Sequence, residues 1–338
     1  MAAWPRRPDW GRWTRCWGTA MAVAAALFVL SQVPTGLLVI APGAAADASG
    51  LVSVEGGRKD SAGSFLVTTV SAREAGLLAV LVAALHPRVS LRHKSQFLPP
   101  GMEWEDYLKE TGAMMAESQA VAQVVGLSAA GREARLDGEG AEVVALLAGS
   151  PCAGKLQPGD VVVSLDGEGV ALADDLLSLV RERLPGDKVR LGVERGRERL
   201  EVEVELGRWA GEPGTGALLL SVRTHRPRAE TPVKVEFSAG DISGPSAGLI
   251  FALAIIDQLD PRDLTGGRVV AGTGTLDVRG RVGPVGGVRE KALAARAAGA
   301  RVFLVPAANQ AEARSVRGLA VVPVATLQDA LAYLGRNP

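Results

Sequence analysis

The sequence predicts an α+β protein with an N-terminal transmembrane helix, a small β-rich module and a larger mixed C-terminal domain. Three observations carry that expectation. Trp17 to Ala46 holds no charged residue and follows Arg6, Arg7, Arg12 and Arg15. Between Gly140 and Leu206, short apolar runs alternate with turn residues. Beyond Ser246 helical spacing takes over, in Ala247 to Leu259 and again in Val288 to Ala298, and the chain closes on a strand, Val302 to Val305, and a helix, Leu327 to Leu334.

A chain of 338 residues exceeds one ordinary domain, so two or three compact units are expected. Lys+Arg and Asp+Glu are 37 each, and a net charge of zero gives no field to draw nucleic acid. Cys16 and Cys152 lack metal or disulfide spacing. No metal or other cofactor is expected.

The uncharged run is long enough to cross a hydrocarbon core of roughly 30 Å. Its flanking arginines belong on the cytoplasmic side, which puts the rest of the chain outside. Residues 1–42 are then a cytoplasmic stub and single-pass anchor. Ala44 to Ala46 also offer an A-x-A cleavage site, so a removed signal peptide stays open, as does a buried globular helix.

Residues 43–125 read as a linking, extracytoplasmic region. In it Phe65 to Val70 suits a strand, Glu74 to Leu85 a helix ending before His86-Pro87, and Trp104 to Val125 another helix, with Met114 and Met115 as packing. Residues 126–207 hold the β-rich module: strands at Ala141 to Leu147, Val161 to Leu165, Lys188 to Val193 and Leu200 to Leu206, with a helix at Ala173 to Arg183. Its stretch GSPCAGKLQPGDVVVSLDGEGV resembles a PDZ domain, which implies that an extended peptide adds to a sheet edge beside the helix. Gly149 to Lys155 also satisfies G-x-x-x-x-G-K, but Leu156, Gln157 and Pro158 supply neither the Mg²⁺ hydroxyl nor a helix start. Lys155 reads as a loop cation.

Residues 240 to 248 read GDISGPSAG and fit the G-x-S-x-G elbow. An α/β-hydrolase needs a histidine after the serine, whereas His86, His93 and His225 all precede Ser246. A trypsin-like reading would use Ser243 with His86 or His93, but Ile242 breaks the GDSGGP spacing and the β-rich module fills the space a protease barrel needs. What remains is a serine activated by a neutral lysine. The chain has seven lysines, and only Lys291 lies downstream of Ser246.

On the helix VREKALAARAAGA, Lys291 shares a side with Ala294, Ala295 and Ala298, so it can turn inward. To be neutral near pH 7 its pKa must fall by about three units, at a cost on the order of 4 kcal/mol. The bland alternatives are an exposed helix cation for Lys291 and an N-cap for Ser246. Gly244 and Pro245 suit a tight turn, and the unpaired N–H groups of a helix start can hold an oxyanion.

GPSAG at 244 to 248, GTGTLDVRGRVGPVGG at 272 to 287 and GGVREKALAARAAGA at 286 to 300 together resemble the proteolytic domain of Lon-type serine proteases, over residues 215–338. The resemblance implies Ser246 as nucleophile and Lys291 as general base, with Thr273 hydrogen-bonded to the lysine and Gly244 and Pro245 shaping the turn. Ser243 stands where an acidic residue is common, and Thr275 where a glutamate is usual. With the anchor, LLVIAPG and the PDZ-like module, nearly the whole chain resembles the YlbL-like family of bacterial membrane proteases. That implies ATP-independent cleavage of polypeptide substrates outside the cytoplasmic membrane, and leaves a homo-oligomer open. A silent peptide-binding scaffold and a protease served by a separate ATPase subunit are the rival readings.

Overall fold

The computed structural model describes residues 17, 21, 25, 28–31, 33–86, 88–94, 104–209, 212–238, 240 and 242–336. Much of the segment read as a membrane anchor lies outside them. Trp17, Met21, Ala25 and residues 28–31 are helical. The end of the uncharged run is not: Pro34–Asp47 forms strand β1. The expectation that Leu37 to Ala41 continue the anchor is therefore corrected. Pro34 disfavours a helical residue before it, and the backbone from Leu37 to Ile40 finds cross-strand partners in Ser90 to His93. Among the described residues no helix is long and apolar enough to cross a membrane.

The chain forms two compact units, the smaller from Met1–Pro42 and Val70–Phe97. After β2 (Val52–Val54), strand β3 (Ser64–Gly76) runs further than the sequence suggests, and helix α1 is correspondingly short (Leu77–Ala84). Strand β4 (Ser90–His93) pairs antiparallel with β1, from Leu37 opposite His93 to Ile40 opposite Ser90. Thr35 Oγ1 donates to the Ala75 carbonyl, and Leu77 N–H to that of Val33.

The larger unit contains Gly43–Thr69 and everything from Leu98. Helix α2 (Trp104–Ala129) leads to β5 (Arg135–Asp137), and then comes the PDZ-like module. Its strands are β6 (Ala141–Leu146), β7 (Val161–Leu165), β8 (Glu168–Gly169), β9 (Lys188–Arg195) and β10 (Glu198–Glu205), with helix α3 (Ala173–Arg181) between β8 and β9. A small ribbon of β11 (Gly207–Trp209) and β12 (Glu212–Ala217) follows, and then β13 (Leu220–Thr224) joins the same sheet. The order is β10-β9-β7-β6-β13. The module buries its own apolar cluster, with Leu165, Leu176 and Leu191 almost fully enclosed.

The chain leaves this module beside the place where it entered. Strand β14 (Arg228–Glu230) pairs antiparallel with β5, and β15 (Val235–Phe237) pairs with β2. The PDZ-like module is thus an insertion. A turn then leads into α4 (Gly248–Leu259), where Leu249, Ile250, Phe251, Leu253 and Ile255 are all at 0% exposure. Each such burial stabilises by roughly 1.5–3 kcal/mol. Parallel strands β16 (Val269–Gly272), β19 (Val302–Pro306) and β20 (Ala320–Val324) line up with β3 in the order β20-β19-β16-β3. Between them lie the hairpin of β17 (Thr275–Leu276) and β18 (Val282–Gly283), helix α5 (Val288–Ala297) and the one-turn α6 (Gln310–Ala313); α7 (Leu327–Arg336) closes the chain.

Residues read as a linking region, with the end of α2 beyond them, supply about a third of this core. Val52, Val54, Phe65 and Val67 from β2 and β3, and Val121, Ala122, Val125 and Leu127 from α2, share one cluster with α4. The reason is topological: β3 hydrogen-bonds β16 from Ser64 opposite Val269 to Val67 opposite Gly272, a pairing across some two hundred residues that no local pattern announces.

Candidate active site

Ser246 sits in the single turn Pro245–Ala247 that opens α4. Gly244 before it has φ 86°, which a residue with a Cβ rarely adopts, and Pro245 takes the first helical position. The Ser246 carbonyl accepts from Gly274 N–H at 2.9 Å and from Thr273 Oγ1 at 3.1 Å. These bonds fix the serine to the segment that follows β16. Gly274 allows this approach, since a Cβ there would stand 2.7 Å from Val282 Cγ1. From the other side Ser118 of α2 donates to the Pro245 carbonyl at 3.0 Å. Ser243 is exposed and outside the turn.

Lys291 lies near the start of α5 and is only 3% exposed. Its Nζ is 2.6 Å from Ser246 Oγ and 3.1 Å from Thr273 Oγ1. Burial pushes the amine down from its ordinary 10.5 to about 8, with Glu312 opposing the shift. The helix start disfavours a cation too. Val288, Ala292, Ala294 and Ala295 are the buried apolar residues of α5, whereas Ala298, expected on the lysine's side, is exposed at the helix end. The loop before α5 is braced by Asn309, which accepts from Val285 N–H at 2.9 Å and donates to its carbonyl at 3.1 Å.

Ser246, Lys291 and Thr273 thus meet, with Gly244 and Pro245 forming the turn that presents the serine. Chemically this is a nucleophile touching an amine whose protonated form is destabilised. Of the first-turn N–H groups, that of Gly248 donates to the Pro245 carbonyl and that of Leu249 to the Gly274 carbonyl at 3.2 Å, which among the described residues leaves those of Ser246 and Ala247 for a developing negative charge. His225 pairs through Nδ1 with Glu142 Oε2 at 2.8 Å inside the PDZ-like module, while His86 and His93 belong to the smaller unit. Residues 151–155 form a turn with no helix after it, and Lys155 Nζ donates to the Glu203 carbonyl at 2.7 Å. Cys152 is buried, which pushes its thiol up to about 11.

A second region was not found from the sequence. Strand β13 pairs with β6 on one side only and ends the sheet order. Its other side faces α3 across an apolar cavity of about 260 Å³, lined by Leu176, Leu177, Val180 and Leu220 among others. At the head of β13, Leu219 has φ 51°, and among the described residues the N–H groups of Leu218 and Leu219 donate to no protein acceptor. Only the run ALLLSV hinted at this strand, and it lies beyond the stretch read as the module.

The fold and site together define a domain that joins a buried lysine to a serine and carries an inserted β-rich module. Residues 224–334 match the Lon protease (S16) C-terminal proteolytic domain, and residues 122–206 match the PDZ domain. A Lon protease of Roseiflexus castenholzii is 42% identical over 86 residues, 25% of this chain and 10% of that protein. Lon protease 2 of Syntrophobacter fumaroxidans is 31% identical over 151 residues, 40% of this chain and 19% of that protein. The chain therefore spans well under a quarter of these relatives' length. The PDZ domain of an SdrC-like protein from Listeria innocua is 22% identical, covering 26% of this chain and 97% of that one with a TM-score of 0.24. The chain carries a Lon-type proteolytic domain and a PDZ domain.

Proposed function

We propose that the protein is a serine endopeptidase that cuts polypeptides through a Ser246–Lys291 dyad, without ATP, while its N-terminal segment holds it to a membrane. The observation that carries the reaction is the 2.6 Å contact between Lys291 Nζ and Ser246 Oγ in a buried, apolar setting. With a pKa of about 8, roughly one lysine in ten is neutral at pH 7. In that form the amine accepts the Ser246 hydroxyl proton as Oγ bonds to the substrate carbonyl carbon. First-turn N–H groups take the oxyanion. The lysine, now an ammonium, gives its proton to the leaving amine; a water then loses its proton to Lys291, attacks the acyl-serine and frees the second product.

Thr273 assigns the lysine's lone pair. Its own proton goes to the Ser246 carbonyl, so its oxygen accepts an N–H of Lys291 and leaves the lone pair to Ser246. The open edge of β13 and the free N–H groups of Leu218 and Leu219 support the binding of an extended peptide by its C-terminal end. The membrane reading rests on Trp17 to Val33, the part of the uncharged run ahead of β1, after the four arginines.

The test uses the full chain in detergent with a denatured protein substrate and no nucleotide. Release of peptides that stops in Ser246→Ala and in Lys291→Met supports the reading. Undiminished release by either variant, or none by the parent, overturns it. Extraction of the chain from membranes by alkaline carbonate would reject the anchor.

A further inference from the structure

Two cavities of the larger unit lie end to end along α3 and β13. The first is the groove of about 260 Å³ described above, which includes Val222 and the C-terminal half of α3. The second, of about 250 Å³, also includes Val222 and takes in the N-terminal residues Leu172, Ala173 and Asp174, together with Arg223 and Thr224. Its far wall is made by Pro245, the residue before Ser246, and by Thr275 and Leu276 of the hairpin that follows Thr273. Met114 of α2, expected only to pack, lines it as well.

The hairpin holds the two regions together. The segment Thr273–Gly274 that leads into it hydrogen-bonds the Ser246 carbonyl, and from its turn Arg279 Nη2 donates to Ser178 Oγ of α3 at 3.3 Å. Asp174 of α3 is close enough to Asp277 that burial first, and the Asp277 charge next, raise its pKa. The helix of the PDZ domain thus borders the turn that carries the serine.

Direction follows from the free N–H groups. Leu218 and Leu219 precede β13, and Arg181 lies on the same cavity, so a terminal carboxylate belongs at that end. A peptide held there on the edge of β13 runs antiparallel to it past Leu220 and Val222; at Thr224, whose N–H donates to Glu117 Oε1 at 3.0 Å, its upstream residues leave the edge for the second cavity and Pro245. We propose that groove and active site form one track, so that the enzyme takes polypeptides with a free, apolar C-terminus and cuts at a set distance upstream of it. Strand β13 covers Leu220–Thr224, and at roughly 3.3 Å per residue the cut falls at least about six residues from the end. This rests on the dyad reading of Ser246 and Lys291.

The test gives the full chain in detergent three unstructured peptides of one sequence. One ends in an apolar residue, one carries three further residues ending in the same apolar residue, and one has its C-terminus amidated. Products are mapped by mass spectrometry, and Ser246 is titrated in parallel with a phosphonate probe. The expected result is a scissile bond that moves three residues downstream with the extension, and a kcat/KM lowered tenfold or more by amidation. Leu177→Glu, at an exposed position on the groove, should lose the dependence of the cut on the terminus. Cuts at the same internal bonds whatever the terminus overturn the track while leaving the dyad standing. Probe labelling without cleavage does the same, and neither labelling nor cleavage overturns both readings.

Discussion

Ser118 of α2 donates its hydroxyl to the carbonyl of Pro245 at 3.0 Å, across 127 positions of sequence that include the whole PDZ domain. The helix before the insertion thus steadies the turn that begins after it. Ser118→Ala leaves that carbonyl without this donor, so a loss of about 1 kcal/mol in stability is expected. Urea unfolding measures it. Peptidase activity should fall several-fold, in KM as well as kcat, because Ser118 also lines the second cavity beside Pro245.

Gly248 lies against the same hydroxyl, and a Cβ there would stand 2.9 Å from Ser118 Oγ and 3.3 Å from Leu276. Gly248→Ala should therefore damage activity more than Ser118→Ala, and the double variant Ser118→Ala with Gly248→Ala should recover part of the loss. A double-mutant cycle on kcat reads this directly, and additive effects would contradict it.

Activity should rise with pH. Neutral Lys291 is the working form in the proposed reaction, and with a pKa of about 8 its population grows nearly tenfold per unit below that value. The profile of kcat/KM is expected to climb from pH 6 and level off above 8. A flat profile over this range would count against lysine as the base.

The same burial bears on stability with a definite sign. Folded Lys291 titrates near 8 and the unfolded residue at its ordinary 10.5, so between these values the unfolded chain binds more protons and stability rises with pH. Below pH 8 the full penalty stands, on the order of 3 kcal/mol. Lys291→Met removes it, so this inactive variant should melt higher than the parent at pH 7, with the gap closing above pH 10.5. Equal melting temperatures at pH 7 would show that the lysine is not desolvated.

Thr273→Val keeps the shape of a fully buried side chain and deletes both of its hydrogen bonds. With the lone pair of Lys291 no longer aimed, kcat is expected to fall by about tenfold to a hundredfold while KM stays within about twofold. Thr273→Ser should restore most of the rate.

The site was legible because its signals are local. Turn residues before Ser246, a long apolar helix after it and a lone downstream lysine on an alanine-rich helix are all readable within a dozen positions. The exposure of Ala298 shows the limit of a helical wheel, which assigns sides but not how far the neighbouring strand covers the helix. Pro34–Asp47 shows another, since an uncharged run has the same composition whether lipid or a strand partner surrounds it.

By itself, then, the sequence determined which residues carry chemistry and which short elements hold them, because caps, turns and periodicity act between near neighbours. Only the tertiary structure decided that β2, β3 and α2 complete the core around α4, that the PDZ domain is an insertion closed by β5 and β14, and that one cavity is lined by both Thr224 at the end of β13 and Pro245. Those contacts join residues one to two hundred positions apart. They are fixed by which apolar faces bury one another and which backbone edges find partners, and no local pattern encodes that choice.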